Sequence, residues 1–206
     1  MKAMNRGFTV VELLVSLAIF VAMTSVIVAK FGTFNQSTLL TDTAYDVALI
    51  VRLAQSYGLS VKSATQIGSG NFSYPYGVDF NIFSATSCGS ASSNATTLVL
   101  FADYDGATDD MCDSNDVSIR PYLLVRGAYL SGLCVGADTT ACYNGGSVTR
   151  INVSYQRPNP EAKICATKNG GSVVCNYAYA EATISGSDGS TRTIVMRQNG
   201  QISVKR

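Results

Sequence analysis

The first sixty residues contain two apolar patterns that follow each other along the chain. Residues 8–29 carry one charged side chain, Glu12, and contain neither proline nor glycine. A helix of this length spans roughly 33 Å at 1.5 Å per residue, which is enough to cross the hydrocarbon core of a bilayer. The pattern therefore predicts a transmembrane helix over residues 8–29.

Beyond residue 30 the apolar positions recur on one side only. Their spacings of three and four residues define one face of a helix: Leu40, Ala44, Val47, Val51 and Ala54. Gly58 is a residue type that often follows the end of a helix and is predicted as its C-cap. We expect the helix to continue over residues 30–58, with this face packed on a sheet.

After residue 58 short apolar runs alternate with glycine, serine, threonine and asparagine, a pattern typical of strands and turns. The runs predict strands over residues 76–83, 97–102, 122–126, 149–155, 177–185, 192–198 and 201–204. Asp188-Gly189 and Asn199-Gly200 favour tight hairpins, so the last three strands should form an antiparallel meander. Residues 59–206 are predicted to form a β-rich head. The fold class is thus α+β, a long N-terminal helix packed on a small antiparallel sheet.

The segment before the apolar run, residues 1–7, is a short cationic leader. Lys2 and Arg6 carry its charge, and Gly7 ends it. Positive charge at this end predicts that it stays in the cytoplasm. A secretory signal places its small cleavage residues after the apolar run, whereas here the small residue precedes it. Cleavage after Gly7 would remove the leader and leave the apolar helix on the mature protein.

Glu12 is the unusual residue of the apolar run, because a carboxylate in a membrane helix costs about 3 kcal/mol on insertion scales. Cleavage after Gly7 would create an α-amino group on Phe8, one helical turn from Glu12. The Phe8 amine of a neighbouring subunit, shifted along the axis, could neutralise Glu12 and set the register of a polymer. The alternative is that Glu12 lies near the headgroups and extends toward water.

Residues 6–15, RGFTVVELLV, resemble the class III prepilin signal of type IV pilins and type II secretion pseudopilins. The resemblance implies that a prepilin peptidase cuts between Gly7 and Phe8, that Phe8 is N-methylated, and that Glu12 and Phe8 dock subunits together. It also implies a single-pass protein of the cytoplasmic (inner) membrane, with its head outside the cytoplasm, that later joins other pilins or pseudopilins in a filament.

The remaining sequence bears on the type of subunit. Many major pilins carry a proline within this helix, whereas the first proline here is Pro75, which favours a minor pilin or a pseudopilin. Four segments are similar to the H-type minor pseudopilins, which implies a two-sheet head: residues 52–62, 76–80, 98–106 and 191–204. Residues 107–175 fit that group poorly and are interpreted as an insertion. The alternative function is a DNA-uptake or adhesive minor pilin whose head binds a ligand.

All six cysteines lie in the head: Cys88, Cys112, Cys134, Cys142, Cys165 and Cys175. None forms a CxxC motif, which argues against zinc and thioredoxin-like sites. An even number in an exported head is typical of disulfides formed in an oxidising compartment. We predict that neighbours in sequence pair, as Cys88–Cys112, Cys134–Cys142 and Cys165–Cys175. Six reduced, buried thiols are the alternative.

The residue types leave little room for catalysis or cofactors. The chain has no histidine, which excludes Ser-His-Asp and Cys-His relays and histidine-ligated zinc, and we expect no enzyme. Six aspartates lie between residues 103 and 116. Oxygen-rich loops of this kind can bind calcium, and Asp103, Asp105 and Asp109 are the candidate ligands. The alternative is a solvated acidic loop, and no other cofactor is expected.

Formal charge is distributed unevenly between two successive parts of the chain after residue 30. Residues 31–116 carry two basic and nine acidic side chains, a formal charge of −7, whereas residues 117–206 carry ten basic and four acidic, +6. We expect these parts to attract each other, within one domain or between subunits. Four cations gather at the last hairpin: Arg192, Arg197, Lys205 and Arg206. A nucleic-acid surface there is the alternative use of this charge.

Overall fold

The computed structural model describes residues 8–60, 74–83, 86–104, 111–136, 140–142 and 148–205, without the side chains of residues 30–35 and 140–142. Within these ranges one helix, α1 (Val10–Leu59), precedes thirteen strands. The predicted α+β class is confirmed.

The strands form two main sheets and one short hairpin, all antiparallel. The first sheet contains β1 (Tyr76–Asn81), β4 (Thr97–Ala102), β5 (Val117–Leu123), β8 (Val148–Gln156), β9 (Asn159–Lys168) and β10 (Val173–Cys175), in the order β10-β9-β8-β1-β4-β5. The second contains β6 (Tyr129–Gly136), β7 (Thr140–Cys142), β11 (Tyr179–Ser185), β12 (Thr191–Arg197) and β13 (Ile202–Lys205), in the order β13-β12-β11-β6-β7. The hairpin pairs β2 (Thr86–Cys88) with β3 (Ala91–Ser93).

The second half of α1 packs on both main sheets and completes the hydrophobic core. The predicted apolar face is buried, because Leu40 is 3% exposed and the other four residues are fully buried. This face packs on β1 and β8 of the first sheet and on β12 and β13 of the second. Helix and both sheets therefore share one hydrophobic cluster, which includes Val47, Phe80, Ile151 and Ile194.

The end of α1 differs from the prediction. The helix continues to Leu59, and Ser60 is the C-cap, with its N–H donating to the Ser56 carbonyl at 3.0 Å. Gly58 as C-cap is therefore wrong. A β-carbon at Gly58 would collide with the Tyr155 carbonyl of β8. The glycine is needed because helix and strand approach each other closely at this point.

The predicted strands are recovered unevenly. The run 97–102 matches β4, and the meander β11-β12-β13 is confirmed, with Gly189 and Gly200 at positive φ in its two turns. The strand predicted over 122–126 is wrong, because β5 covers Val117–Leu123. Pro121 lies within β5, and because proline is rare in strands the sequence pattern does not indicate a strand there. The proline is tolerated because β5 is the edge of its sheet, where proline is commonly accommodated.

The described residues within 107–175 contribute strands to both main sheets. Strand β8 lies between β1 and β9 in the first sheet, and β6 lies between β11 and β7 in the second. The stretch is therefore part of the folded core, and its interpretation as an insertion relative to the H-type minor pseudopilins remains a prediction. Glycines within β6 and charged residues within β9 weaken the apolar pattern, although the inward positions Ala162, Ile164 and Ala166 of β9 are buried.

Candidate functional site

The N-terminus of α1 begins directly after the predicted cleavage point. Thr9 is the N-cap, with extended backbone at φ −77° and ψ 148°. Its hydroxyl accepts a hydrogen bond from the Glu12 N–H at 3.3 Å and lies 3.5 Å from the Glu12 carboxylate. Thr-x-x-Glu is the spacing of a capping box, and this sequence signal fixes the start of the helix. The cap bond is made by the Glu12 backbone, and the Glu12 carboxylate lies beside the cap with one long contact to it.

The bond between Gly7 and Phe8 precedes this cap. Gly7 lies outside the described residues, and Phe8 is 71% exposed. Because the helix starts at Val10, cleavage at this bond would leave the cap and the first turn intact. A new amine on Phe8 and the carboxylate of Glu12 would then both lie at the positive end of the helix dipole, where a carboxylate is favoured.

The first half of α1 projects away from the head. Val10–Ala29 is long and apolar enough to cross a membrane, and none of it is buried within the chain. Large side chains along it, such as Val11, Leu17 and Phe20, are 59–69% exposed. Apolar side chains left in water at this exposure are unfavourable. Cover for this half must come from lipid or from other subunits.

Polar side chains in the apolar half are satisfied by the helix itself. The hydroxyls of Ser16, Thr24 and Ser25 donate to the carbonyls of Glu12, Phe20 and Ala22 at 2.7–3.0 Å. These hydroxyls therefore need no external partner in a low-dielectric environment. Glu12 is the charged group of this half, and its interaction with Thr9 at 3.5 Å is long for a hydrogen bond.

Residues 2–28 match the family model described as the prokaryotic N-terminal methylation motif. This chain carries a prepilin-type methylation motif. The matched segment includes Gly7, Phe8 and Glu12, and it ends one residue before the apolar span does. The methylation motif is the class III prepilin signal, and it supports a type IV pilin-like or pseudopilin subunit.

The methylation motif also bears on the location, processing and assembly of the chain. It supports membrane anchoring by one helix, processing by a peptidase, assembly with other pilins, and a structural role rather than an enzymatic one. No curated protein and no solved structure matches the chain. The likeness of the head to H-type minor pseudopilins remains a prediction.

Disulfides link neighbouring parts of the head. Cys88 is bonded to Cys112, and Cys165 is bonded to Cys175 across the β9–β10 pair, as predicted. Cys134 is also in a disulfide, and its backbone lies opposite Cys142 on the neighbouring strand. The side chain of Cys142 is outside the described part of the chain, so this third pairing remains a prediction. Reduced thiols at the two observed bonds are excluded.

The described ends of the aspartate-rich loop are joined through the side chain of Asp116. The Asp116 carboxylate accepts from the Tyr104 and Asp113 N–H groups at 2.9 Å each. Asp103 is 3% exposed, and the other two candidate calcium ligands, Asp105 and Asp109, lie outside the described residues. Among the side chains that the structure describes, no group of three acidic, cysteine or histidine residues is placed to hold a metal. Calcium binding remains a prediction.

A buried ion pair anchors the end of this loop. Arg150 on β8 binds Asp79 on β1 through two hydrogen bonds of 2.7 and 2.8 Å, and the Asp79 side chain is fully buried. Arg150 also donates to the Cys112 carbonyl. With its amide nitrogen toward Asp79, Asn152 donates to the carboxylate at 2.6 Å and accepts from the Cys112 N–H at 2.6 Å. Asp79 belongs to the acidic part, residues 31–116, and Arg150 to the basic part, residues 117–206, so the two parts attract each other within one domain, as expected.

Two of the four cations of the last hairpin have partners within the chain. Arg192 donates to the hydroxyls of Thr41 and Ser37 on α1, both at 3.0 Å. Lys205 pairs with Glu181 at 3.1 Å. Arg197 is exposed, and Arg206 lies outside the described residues. Two of the predicted nucleic-acid contacts therefore have structural roles, which disfavours a phosphate-binding surface built from all four.

A second polar contact holds strand β5 to the helix. The Tyr122 hydroxyl donates to the Asp46 carboxylate at 3.2 Å. Burial, together with the charge and hydrogen bond of Asp46, raises the pKa of Tyr122 to about 12. The phenol therefore stays protonated and able to donate throughout the neutral range.

Proposed function

We propose that the chain is a minor pseudopilin or minor pilin, a structural subunit of a type II secretion or type IV pilus filament. The observation that supports this most is the start of α1, where the methylation motif meets an exposed apolar half-helix. The other half of the same helix is fixed in the head. Such a helix joins a folded head to a surface that only lipid or further helices can cover.

Maturation has two steps in this proposal. A prepilin peptidase cuts between Gly7 and Phe8, and the new amine of Phe8 is then methylated. The cut lies before the capping residue Thr9, so the helix keeps its N-terminal hydrogen bond after the leader is removed. The mature subunit waits in the cytoplasmic (inner) membrane with its head outside the cytoplasm.

Assembly then depends on Glu12. The Phe8 amine of an adjacent subunit neutralises this carboxylate in an apolar environment, where an unpaired charge is costly. Because the serine and threonine hydroxyls nearby are satisfied internally, Glu12 remains as the group that selects a partner. The pairing sets how far one helix is shifted along the next.

The head is proposed to be of the H-type. Its six-stranded and five-stranded sheets on one helix support this, since that group is expected to carry two sheets. The disulfides support residence in an oxidising compartment.

The test is incorporation of Glu12 variants into filaments, in cells that make a prepilin peptidase and partner pilins. Glu12→Gln removes the charge with little change of shape, and we expect the variant to be cut normally but to be lost from the sheared filament fraction. Glu12→Asp keeps the charge and should partly restore incorporation. Thr9→Ala is the matched control, because it removes the cap and leaves the carboxylate. Equal incorporation of Glu12→Gln and the unchanged chain would refute the docking role.

The alternative, a DNA-uptake or adhesive minor pilin, has one structural observation in its favour. An open groove at the end of the first sheet is lined by Phe83, Thr86, Thr149 and Lys168, a set that includes an aromatic ring and a cation. Saturable binding of DNA or a saccharide by the full chain in detergent, abolished by Lys168→Ala, would favour this alternative over a purely structural subunit.

A further inference from the structure

The turn that joins β5 to β6, residues 123–129, exposes apolar side chains beside a cation. We call it the proximal turn. Leu123 is 59% exposed, Val125 is 46% and Tyr129 is 43%. Arg126 is also exposed and adopts a left-handed backbone with φ of 62°. No acidic residue lies within 123–129.

The proximal turn lies at the end of the head nearest the apolar half of α1. Val125 and Arg126 line a small pocket together with Gln36 and Leu39 of the helix. Tyr122, just before the turn, contacts the helix farther along, at Asp46. The chain therefore runs toward the anchor as it enters the turn.

Helix geometry places this turn close to the lipid surface. Gln36 follows Ala29, the end of the apolar span, by seven residues, which is about 10 Å along the axis. The headgroup layer extends roughly 5–8 Å beyond the hydrocarbon core on each side. Membrane helices tilt by about 20° on average, and a tilt toward the head closes the remaining gap.

The opposite end of the head has a different surface. The turn between β12 and β13, residues 198–201, is the distal turn, and its Gly200 lies against Gln55 of α1. Gln55 is nineteen residues beyond Gln36, about 28 Å farther along the helix. The distal turn reads Gln-Asn-Gly-Gln and exposes Asn199 and Gln201. Exposed apolar residues thus occur in the turn near the anchor and not in the distal turn.

We infer that the proximal turn binds the headgroup layer of the membrane in which the chain is anchored. Tyrosine favours the membrane–water interface, and a cation near it attracts anionic headgroups. The adjacent β11–β12 turn contributes one carboxylate, Asp188, which accepts hydrogen bonds from the backbone N–H and the hydroxyl of Ser190 at 3.0 and 2.6 Å. The contact holds the head against the membrane before assembly and is lost when the subunit enters a filament. This inference rests on the membrane anchoring within the proposed function.

Single-tryptophan variants test it directly, because the chain contains no tryptophan. Val125→Trp and Tyr129→Trp report on the proximal turn, Gln201→Trp on the distal turn, and Phe20→Trp on the anchor. The full chain is reconstituted into vesicles of phosphatidylcholine and phosphatidylglycerol that contain brominated lipid. Circular dichroism checks that each variant is folded, and two proximal positions guard against the failure of one.

We expect Val125→Trp and Tyr129→Trp to emit at shorter wavelength and to lose most emission to lipids brominated near the ester group. Phe20→Trp should lose most to lipids brominated near the chain terminus, and Gln201→Trp should be unaffected by either. Arg126→Asn, which suits a left-handed backbone, should weaken quenching of Val125→Trp in anionic vesicles more than in neutral ones.

Quenching at Phe20→Trp alone, with none at the two proximal positions, would overturn the inference and leave the anchor intact. No quenching at Phe20→Trp would remove the anchor, and with it the membrane stage of the proposed function. A shift to shorter wavelength at the proximal turn without quenching by bromine would mean that a second copy covers it, which also overturns the lipid contact.

Discussion

The two halves of α1 belong to one continuous helix, yet they are surrounded by different environments. Along Val10–Ala29 the large apolar side chains are exposed on every side. From Leu40 to Ala54 one face is buried against two sheets, while Tyr45 and Leu49 on the other face are 56% and 61% exposed. The first half is exposed all round, and the second is buried along one stripe.

This difference shows where each half gains its stability. The second half folds against its own head, so its burial is complete within the chain. The first half has no such surface and must be covered by lipid or by other helices. A change in the second half should therefore affect the stability of the head and leave membrane insertion unchanged. A change in the first half should affect membrane insertion and leave the stability of the head unchanged.

The largest effect is expected from a charge placed in the docked face. Val47→Lys puts an ammonium at a fully buried position and should lower the free energy of unfolding by about 3–5 kcal/mol, the cost of an uncompensated buried charge. Urea unfolding of the full chain in detergent measures this. Leu49→Lys, two residues away on the exposed face, is the matched control and should change stability by about 0.5 kcal/mol or less.

The same substitution in the other half should act on the membrane instead. Val21→Lys places the charge near the centre of the apolar span and should disfavour insertion by about 2.5–3.5 kcal/mol. Extraction of the chain from membranes by alkaline carbonate should increase, while the unfolding midpoint of the head stays unchanged. If Val21→Lys destabilised the head as much as Val47→Lys, the halves would not be independent.

A smaller effect is expected where the docked half begins. Arg192 binds Ser37 and Thr41, one turn apart on α1, so Arg192→Ala should cost about 1.5–3 kcal/mol for hydrogen bonds from a charged donor. Hydrogen exchange should increase at the start of the docked half. Arg197→Ala removes an exposed arginine from the same strand and should have almost no effect. Equal exchange in both variants would argue against this clamp.

The smallest effect concerns pH. The pKa of Tyr122 is about 12 in the folded chain, above the value near 10 of a free tyrosine. The native state therefore keeps a proton that the unfolded state loses, and this contribution to stability, complete below pH 10, disappears as pH rises toward 12. Tyr122→Phe should lose about 0.5–1.5 kcal/mol at neutral pH and decline less steeply between pH 10 and 12. Tyr45→Phe, at an exposed position, should follow the unchanged chain.

Local patterns predicted the parts of the fold that depend on local chemistry. The spacing of Leu40, Val47 and Val51 identified the docked face, because helix period alone decides which side chains share a side. Asn199-Gly200 identified a hairpin, because few other pairs tolerate its backbone. The bonded pairs Cys88–Cys112 and Cys165–Cys175 are close in sequence and were predicted for that reason.

Local sequence patterns do not predict features that depend on contacts between residues far apart in the chain. Asp79 and Arg150 are 71 residues apart, and no local pattern indicates that they form a buried pair. Local sequence predicts Gly58 as a C-cap, whereas its close approach to Tyr155 follows from where the sheet lies. The strand predicted over 122–126 differs from β5 because β5 contains Pro121. The edge position that permits this proline follows from the strand order of the sheet. At the helix start, by contrast, the spacing of Thr9 and Glu12 in the sequence is that of a capping box and indicates the N-cap that the structure shows.

The central claim is that the chain is matured at its N-terminus into a filament subunit. Intact-mass and N-terminal peptide mass spectrometry on chain made together with a prepilin peptidase tests it most directly. We expect a mature start at Phe8 that carries one added methyl group. A start at Met1, or a cut beyond residue 29, would mean that the apolar half is an ordinary anchor or a removed signal, and would contradict the account.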